Sequence, residues 1–68
     1  MTIKEIGSFI RTKRKEFGLT QVEVAGLCNV GIRFVSELEN GKKTLQIGKV
    51  FYVLNSLGFD IVLKERTL

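Results

Sequence analysis

Few side chains in this 68-residue chain can do covalent chemistry. There is no histidine and one cysteine, Cys28, so no Cys–His pair, no zinc-ligand set and no internal disulfide can be assembled. No glycine-rich phosphate loop is present. An enzyme is therefore not expected, nor a cofactor or a metal ion, and Cys28 reads as a small buried hydrophobe. What the chain carries is an outward-facing set on a predicted helix, Ile32, Arg33, Ser36 and Glu37, opposite the apolar Val35 and Leu38. Arg33 is a long forked donor that matches guanine O6 and N7 in a DNA major groove, and Ile32 can pack on a thymine methyl. Glu37 orients Arg33, accepts from cytosine N4, or repels phosphate.

The charge distribution fits a polyanionic partner. The formal charge is +4 and the pI about 9.6, a balance typical of domains that bind nucleic acid. Residues 1–16 carry Lys4, Arg11, Lys13, Arg14 and Lys15 against Glu5 and Glu16. Residues 41–49 carry Lys42, Lys43 and Lys49 with no acid. Between these flanks, Arg33 stands against Glu23, Glu37 and Glu39. Solvated helix faces are the plain alternative, and Lys43 is either a phosphate neighbour or ordinary surface charge.

Helices must position these groups. Ile6, Ile10 and Phe17 recur at helical spacing and predict a first helix over residues 3–17, stopped by Gly18. Thr20-Gln21-Val22-Glu23 is a capping box that opens a second helix with Val24, Ala25 and Cys28 inward. Asn29 ends it, because asparagine tolerates the left-handed backbone of a tight turn. A third helix runs from about Gly31 to Asn40 with Val35 and Leu38 buried, and a fourth from about Gln46 to Leu57, with Gly48 in its first turn a mild cost. From Phe59 to Lys64 the pattern alternates with period two and predicts one β-strand. A lone strand leaves its backbone unpaired, so its expected partner is the same strand of a second copy.

Sixty-eight residues make one small domain that buries only about 60% of its unfolded surface. Oligomerisation is the expected support, through Val50, Leu54 and Leu57 of the fourth helix and Phe59, Ile61 and Leu63 of the strand. The chain looks too small for a ligand pocket of the usual ~300 Å³ or more. Its longest apolar run, Val50 to Leu54, is five residues, against roughly 20 for a membrane span. No apolar leader segment is visible, so a cytoplasmic protein without membrane contact is expected.

The second and third helices, joined by a tight turn, have helix-turn-helix geometry. Ala25 supplies the small residue at the crossing, Asn29 the turn, and Val24, Cys28, Val30, Val35 and Leu38 the inward positions. With Leu19-Thr20-Gln21, Ala25, Val30, Val35 and Ser36-Glu37-Leu38-Glu39-Asn40-Gly41, the chain resembles the Xre-type helix-turn-helix proteins related to phage repressors over about residues 5–58. Ile6-Gly7-Ser8-Phe9-Ile10-Arg11, Gly31-Ile32-Arg33-Phe34-Val35, Lys49-Val50 with Leu54 and Leu57-Gly58, and the tail are similar to HipB-type antitoxins.

That resemblance implies an all-α, compact four- or five-helix core and a two-fold dimer. Residues 1–58 would form the DNA-binding domain and residues 59–68 a dimerisation strand and tail. Gln21 would contact phosphate; Gly31, Ile32, Arg33 and Ser36 would face base edges, with Glu37 at their margin; Asn40 and Lys42 would meet the DNA backbone. Arg14 and Glu39 would form a structural ion pair. The implied partners are double-stranded DNA bearing an inverted-repeat operator and a HipA-type serine/threonine kinase toxin. The implied function is a sequence-specific repressor, the antitoxin of a HipBA-like toxin–antitoxin pair. A protein-binding inhibitor or adaptor without useful DNA affinity is the alternative. Two departures from the family pattern stand out. Gly31 occupies the place of a common serine or threonine, and Asn29 that of the usual turn glycine.

Overall fold

A computed structural model describes residues 1–67, so the final residue of the 59–68 segment, Leu68, lies outside the described residues. Four helices are present among them: α1 (Ile3–Glu16), α2 (Gln21–Cys28), α3 (Ile32–Glu39) and α4 (Ile47–Ser56). The starts of α1 and α2 are set by threonine caps. Thr2 Oγ1 accepts from the Glu5 N–H, and Thr20 and Glu23 form a reciprocal capping box.

All four helices end the same way. A residue with positive φ follows the last turn: Gly18, Asn29, Gly41 and Gly58. In each case the next N–H reaches back to a carbonyl five residues earlier: Leu19 to Arg14, Val30 to Ala25, Lys42 to Glu37 and Phe59 to Leu54. These are Schellman closures, which satisfy otherwise orphaned carbonyls and reverse the chain within one turn. Asn29 performs the same closure as the three glycines, at φ 54°.

The core contains Ile6 and Ile10 of α1, Val24, Ala25 and Cys28 of α2, Val35 and Leu38 of α3, and Val50, Val53 and Leu54 of α4. α3 packs on both α1 and α2, and α2 packs on α4. Leu38 has no exposed surface, and truncating such a residue to alanine costs about 2–5 kcal/mol. Burial pushes the Cys28 thiol up in pKa, with a hydrogen bond to Ser56 opposing. Gly7 has a separate role. A Cβ there would overlap the Leu38 carbonyl oxygen, so α1 crosses α3 by direct approach of the two backbones.

The segment after Gly58 departs from expectation. No strand exists among the described residues. Phe59 instead folds back on α1, edge-on to Phe9 at 4.9 Å and stacked with Phe17 at 6.2 Å between ring centroids. Phe59, Ile61 and Leu57 pack against the core of their own chain. Val50 and Leu54 are buried within the core of their own chain. The remaining exposed apolar surface there consists of Ile47, Phe51, Tyr52, Val62 and Leu63. Met1, Ile6, Phe9, Leu54, Phe59 and Ile61 line an open apolar groove of about 350 Å³. No helix is long and apolar enough to cross a membrane among the described residues, and they contain no acidic or thiol cluster suited to a metal ion.

Candidate nucleic-acid interface

The candidate interface is built on α3. Val35, Leu38 and Glu39 are buried along its inner side, while Gly31, Ile32 and Arg33 are exposed at its N-terminal turn. The Arg33 side chain is 87% exposed. Ser36 and Glu37 are half-buried one turn on, and Asn40, Lys42 and Lys43 are exposed beyond the C-terminus. Phe34 points away from this group. It packs against the core, with the Lys49 ammonium 5.5 Å from its ring centroid.

Gly31 is the N-cap of α3 and provides no side-chain cap. The first-turn N–H groups of α3 therefore lack intrahelical partners and carry the positive end of the helix dipole, a combination that receives phosphate oxygens well. At the start of α2 the Glu23 N–H is taken by Thr20, leaving the N–H groups of Gln21 and Val22 in the same condition.

A polar cluster behind the interface fixes α3 in place. Arg14 Nε donates to Glu39 Oε2 at 2.6 Å and Nη2 to Oε1 at 3.0 Å, while Nη1 donates to the Leu19 carbonyl at 2.9 Å. The two side chains are 11% and 2% exposed. Gln21 Nε2 donates to the same Glu39 Oε1 at 3.1 Å. One amide N–H of Gln21 is thus used inside the protein, a role its sequence position did not reveal. Burial pushes the Glu39 carboxyl up, but the Arg14 and Gln21 hydrogen bonds and the nearby Arg14 and Arg11 charges outweigh it and hold it below the usual carboxylate range. The Glu39 hydrogen bond in turn raises the Arg14 guanidinium.

A second cluster lies on the surface. Lys42 Nζ donates to Glu37 Oε2 at 2.7 Å, and Arg33 Nε lies 3.6 Å from the same oxygen. The Lys42 hydrogen bond is the main reason the Glu37 carboxyl sits below its ordinary range. Lys43 makes no ion pair among the described residues.

Lys4 is a further cation of this region that sequence reasoning did not assign. A Cβ on Gly41 would meet the Lys4 Cα at 3.0 Å, so the start of α1 lies against the turn that carries Lys42 and Lys43. No local signal links Lys4 to that turn, because the two are distant in sequence and meet through the α1–α3 crossing.

The chain matches the helix-turn-helix family model over residues 10–63. It is also similar to a protein of Sinorhizobium fredii (strain NBRC 101917 / NGR234) that bears the name uncharacterized HTH-type transcriptional regulator y4mF. The two are 52% identical over 60 residues, which make up 88% of this chain and 79% of that protein.

Proposed function

The chain belongs to the helix-turn-helix family, and on that premise we propose that it is a sequence-specific DNA-binding repressor of transcription. The observation that carries this reading is the first turn of α3, where Ile32 and Arg33 are exposed and the inner side of the same helix is anchored by Leu38 and the Arg14–Glu39 pair. Base edges in the major groove are read by such outward groups, and phosphate by the uncapped N–H groups and by Lys42, Lys43 and Asn40. Anisotropy titrations against DNA from upstream of its own gene and against a scrambled duplex test the proposal. Arg33→Ala loses about 1–3 kcal/mol on the preferred sequence and less on scrambled DNA, whereas Lys42→Ala weakens both alike. Equal loss on both duplexes for Arg33→Ala makes Arg33 a phosphate ligand instead.

The finer role we favour is the antitoxin of a HipBA-like pair, which binds its own operator as a homodimer and restrains a kinase toxin. Its support is the resemblance of residues 6–11 and 31–35 to HipB-type antitoxins. A kinase-like reading frame beside the gene, whose toxicity is relieved by co-expression of this chain, is the expected outcome; a non-toxic neighbour removes the antitoxin role. The second reading, a protein-binding module without useful DNA affinity, draws support from the apolar groove and the exposed Phe51, Tyr52 and Leu63. Failure of the wild-type chain to bind either duplex at low salt decides for it.

A further inference from the structure

We propose that Glu37 determines sequence discrimination by holding Arg33 and Lys42 on one carboxylate oxygen in the DNA-free protein, so that DNA must take those cations from it. The inference rests on the DNA-binding reading above and adds to it a residue that acts by competition with phosphate.

Three observations carry it. Lys42 Nζ at 2.7 Å and Arg33 Nε at 3.6 Å converge on the same Glu37 Oε2. Lys42 comes to this place through the helix stop, because its own backbone N–H closes onto the Glu37 carbonyl at 3.0 Å. The Glu37 side chain is 26% exposed, against 46% for Lys42 and 87% for Arg33, so the carboxylate is the most enclosed member of the cluster.

Any duplex can offer phosphates to Lys42 and Arg33. With Glu37 in place, that gain is reduced by the pair that must be given up, and the released carboxylate is left facing phosphate charge. The right sequence offers more, since Arg33 gains a bidentate base contact and Glu37 can accept from a cytosine amine. The carboxylate therefore weakens non-specific binding more than specific binding, as an element that works by repelling wrong partners should.

The test compares wild type, Glu37→Gln and Glu37→Asp on a duplex selected from a random pool and on a scrambled duplex, over a range of salt. For Glu37→Gln the affinity for scrambled DNA rises about threefold or more, because no cation has to be taken from a carboxylate and no carboxylate is left facing phosphate. The ratio of selected to scrambled affinity falls. Glu37→Asp, which keeps the charge, stays nearer the wild-type affinity. Unchanged affinity on scrambled DNA for a folded Glu37→Gln protein overturns the proposal and leaves the DNA-binding reading intact. If wild type binds neither duplex, both fall. An NMR titration of the Glu37 carboxyl reads the pair without DNA: its midpoint moves up in Lys42→Ala, and an unmoved midpoint also overturns the proposal.

Discussion

At the scale of single residues, Glu39 holds the interface most directly. It accepts from Arg14 and Gln21, so one carboxylate ties α1 and the start of α2 to α3. Removing one partner of a buried pair leaves the other charge uncompensated, at a cost of about 3–5 kcal/mol. Domains have total stabilities of only about 5–15 kcal/mol, so Glu39→Ala is expected to lose a large share of the chain's stability and to melt far below wild type. A thermal melt close to wild type contradicts this. The pH dependence follows from the direction of the shifts. The Glu39 carboxyl is depressed from its ordinary 4.5, so its contribution is complete above that value and is lost as pH falls through the lower folded-state value. The Arg14 guanidinium is raised, so its contribution is present below its ordinary value and is lost only in strong alkali. Acid melts are thus expected to show falling stability below about pH 4.5, a slope that Glu39→Gln reduces; an equal slope in the variant assigns acid sensitivity to other carboxylates.

At the scale of elements, three glycines inside helices separate local from tertiary causes. Gly26 of α2 and Gly48 of α4 have open space where a Cβ would go, while at Gly7 of α1 the same atom overlaps the Leu38 carbonyl. Gly26→Ala and Gly48→Ala are each expected to stabilise by about 0.5–1 kcal/mol, by lowering the backbone entropy lost on folding. Gly7→Ala is expected to destabilise by about 1–3 kcal/mol or more, because α1 must move off α3. In a domain of this size 1 kcal/mol moves the melting point by roughly 4–8 °C, so calorimetry resolves all three, and a stabilised Gly7→Ala protein refutes the close crossing. Gly31→Ser also meets open space and supplies the missing N-cap, for a gain of a few tenths of a kcal/mol.

At the scale of the whole molecule, the tail expected to pair with a second copy divides into a packed part and an exposed part. Phe59 closes the core against Phe9 and Phe17, whereas Val62 and Leu63 are 74% and 92% exposed. Phe59→Ala is expected to lower the stability of the individual chain, through lost burial and about 0.5–1.5 kcal/mol of ring–ring contact. If copies associate through the remaining apolar surface, Val62→Asp with Leu63→Asp weakens association and leaves the melt at low concentration unchanged. Sedimentation equilibrium across micromolar concentrations checks this. Dimers that withstand the double variant put the contact elsewhere, and a two-fold dimer places its α3 helices about 34 Å apart, on half-sites one helical turn apart.

The helices and their limits were legible in the sequence because their causes are local. Thr20 and Glu23 cap within one turn, and Gly18, Asn29, Gly41 and Gly58 take the left-handed conformations that close each helix. The inward stripe of α3, and with it the outward Ile32 and Arg33, follows from helical period alone. The Arg14–Glu39 pairing came from a family likeness, since nothing in the local sequence of either residue specifies the other. The tail shows where pattern ends and packing decides. Alternation from Phe59 to Lys64 states which side chains share a side of an extended chain, and says nothing about whether that side meets a second copy or its own α1. The same limit applies to Val50 and Leu54, whose apolar face is buried in the core of the same chain. Gln21 on Glu39, Lys4 beside Gly41 and Gly7 under Leu38 were likewise decided by tertiary structure, because each depends on how two helices cross, and a crossing depends on the packing of the whole core.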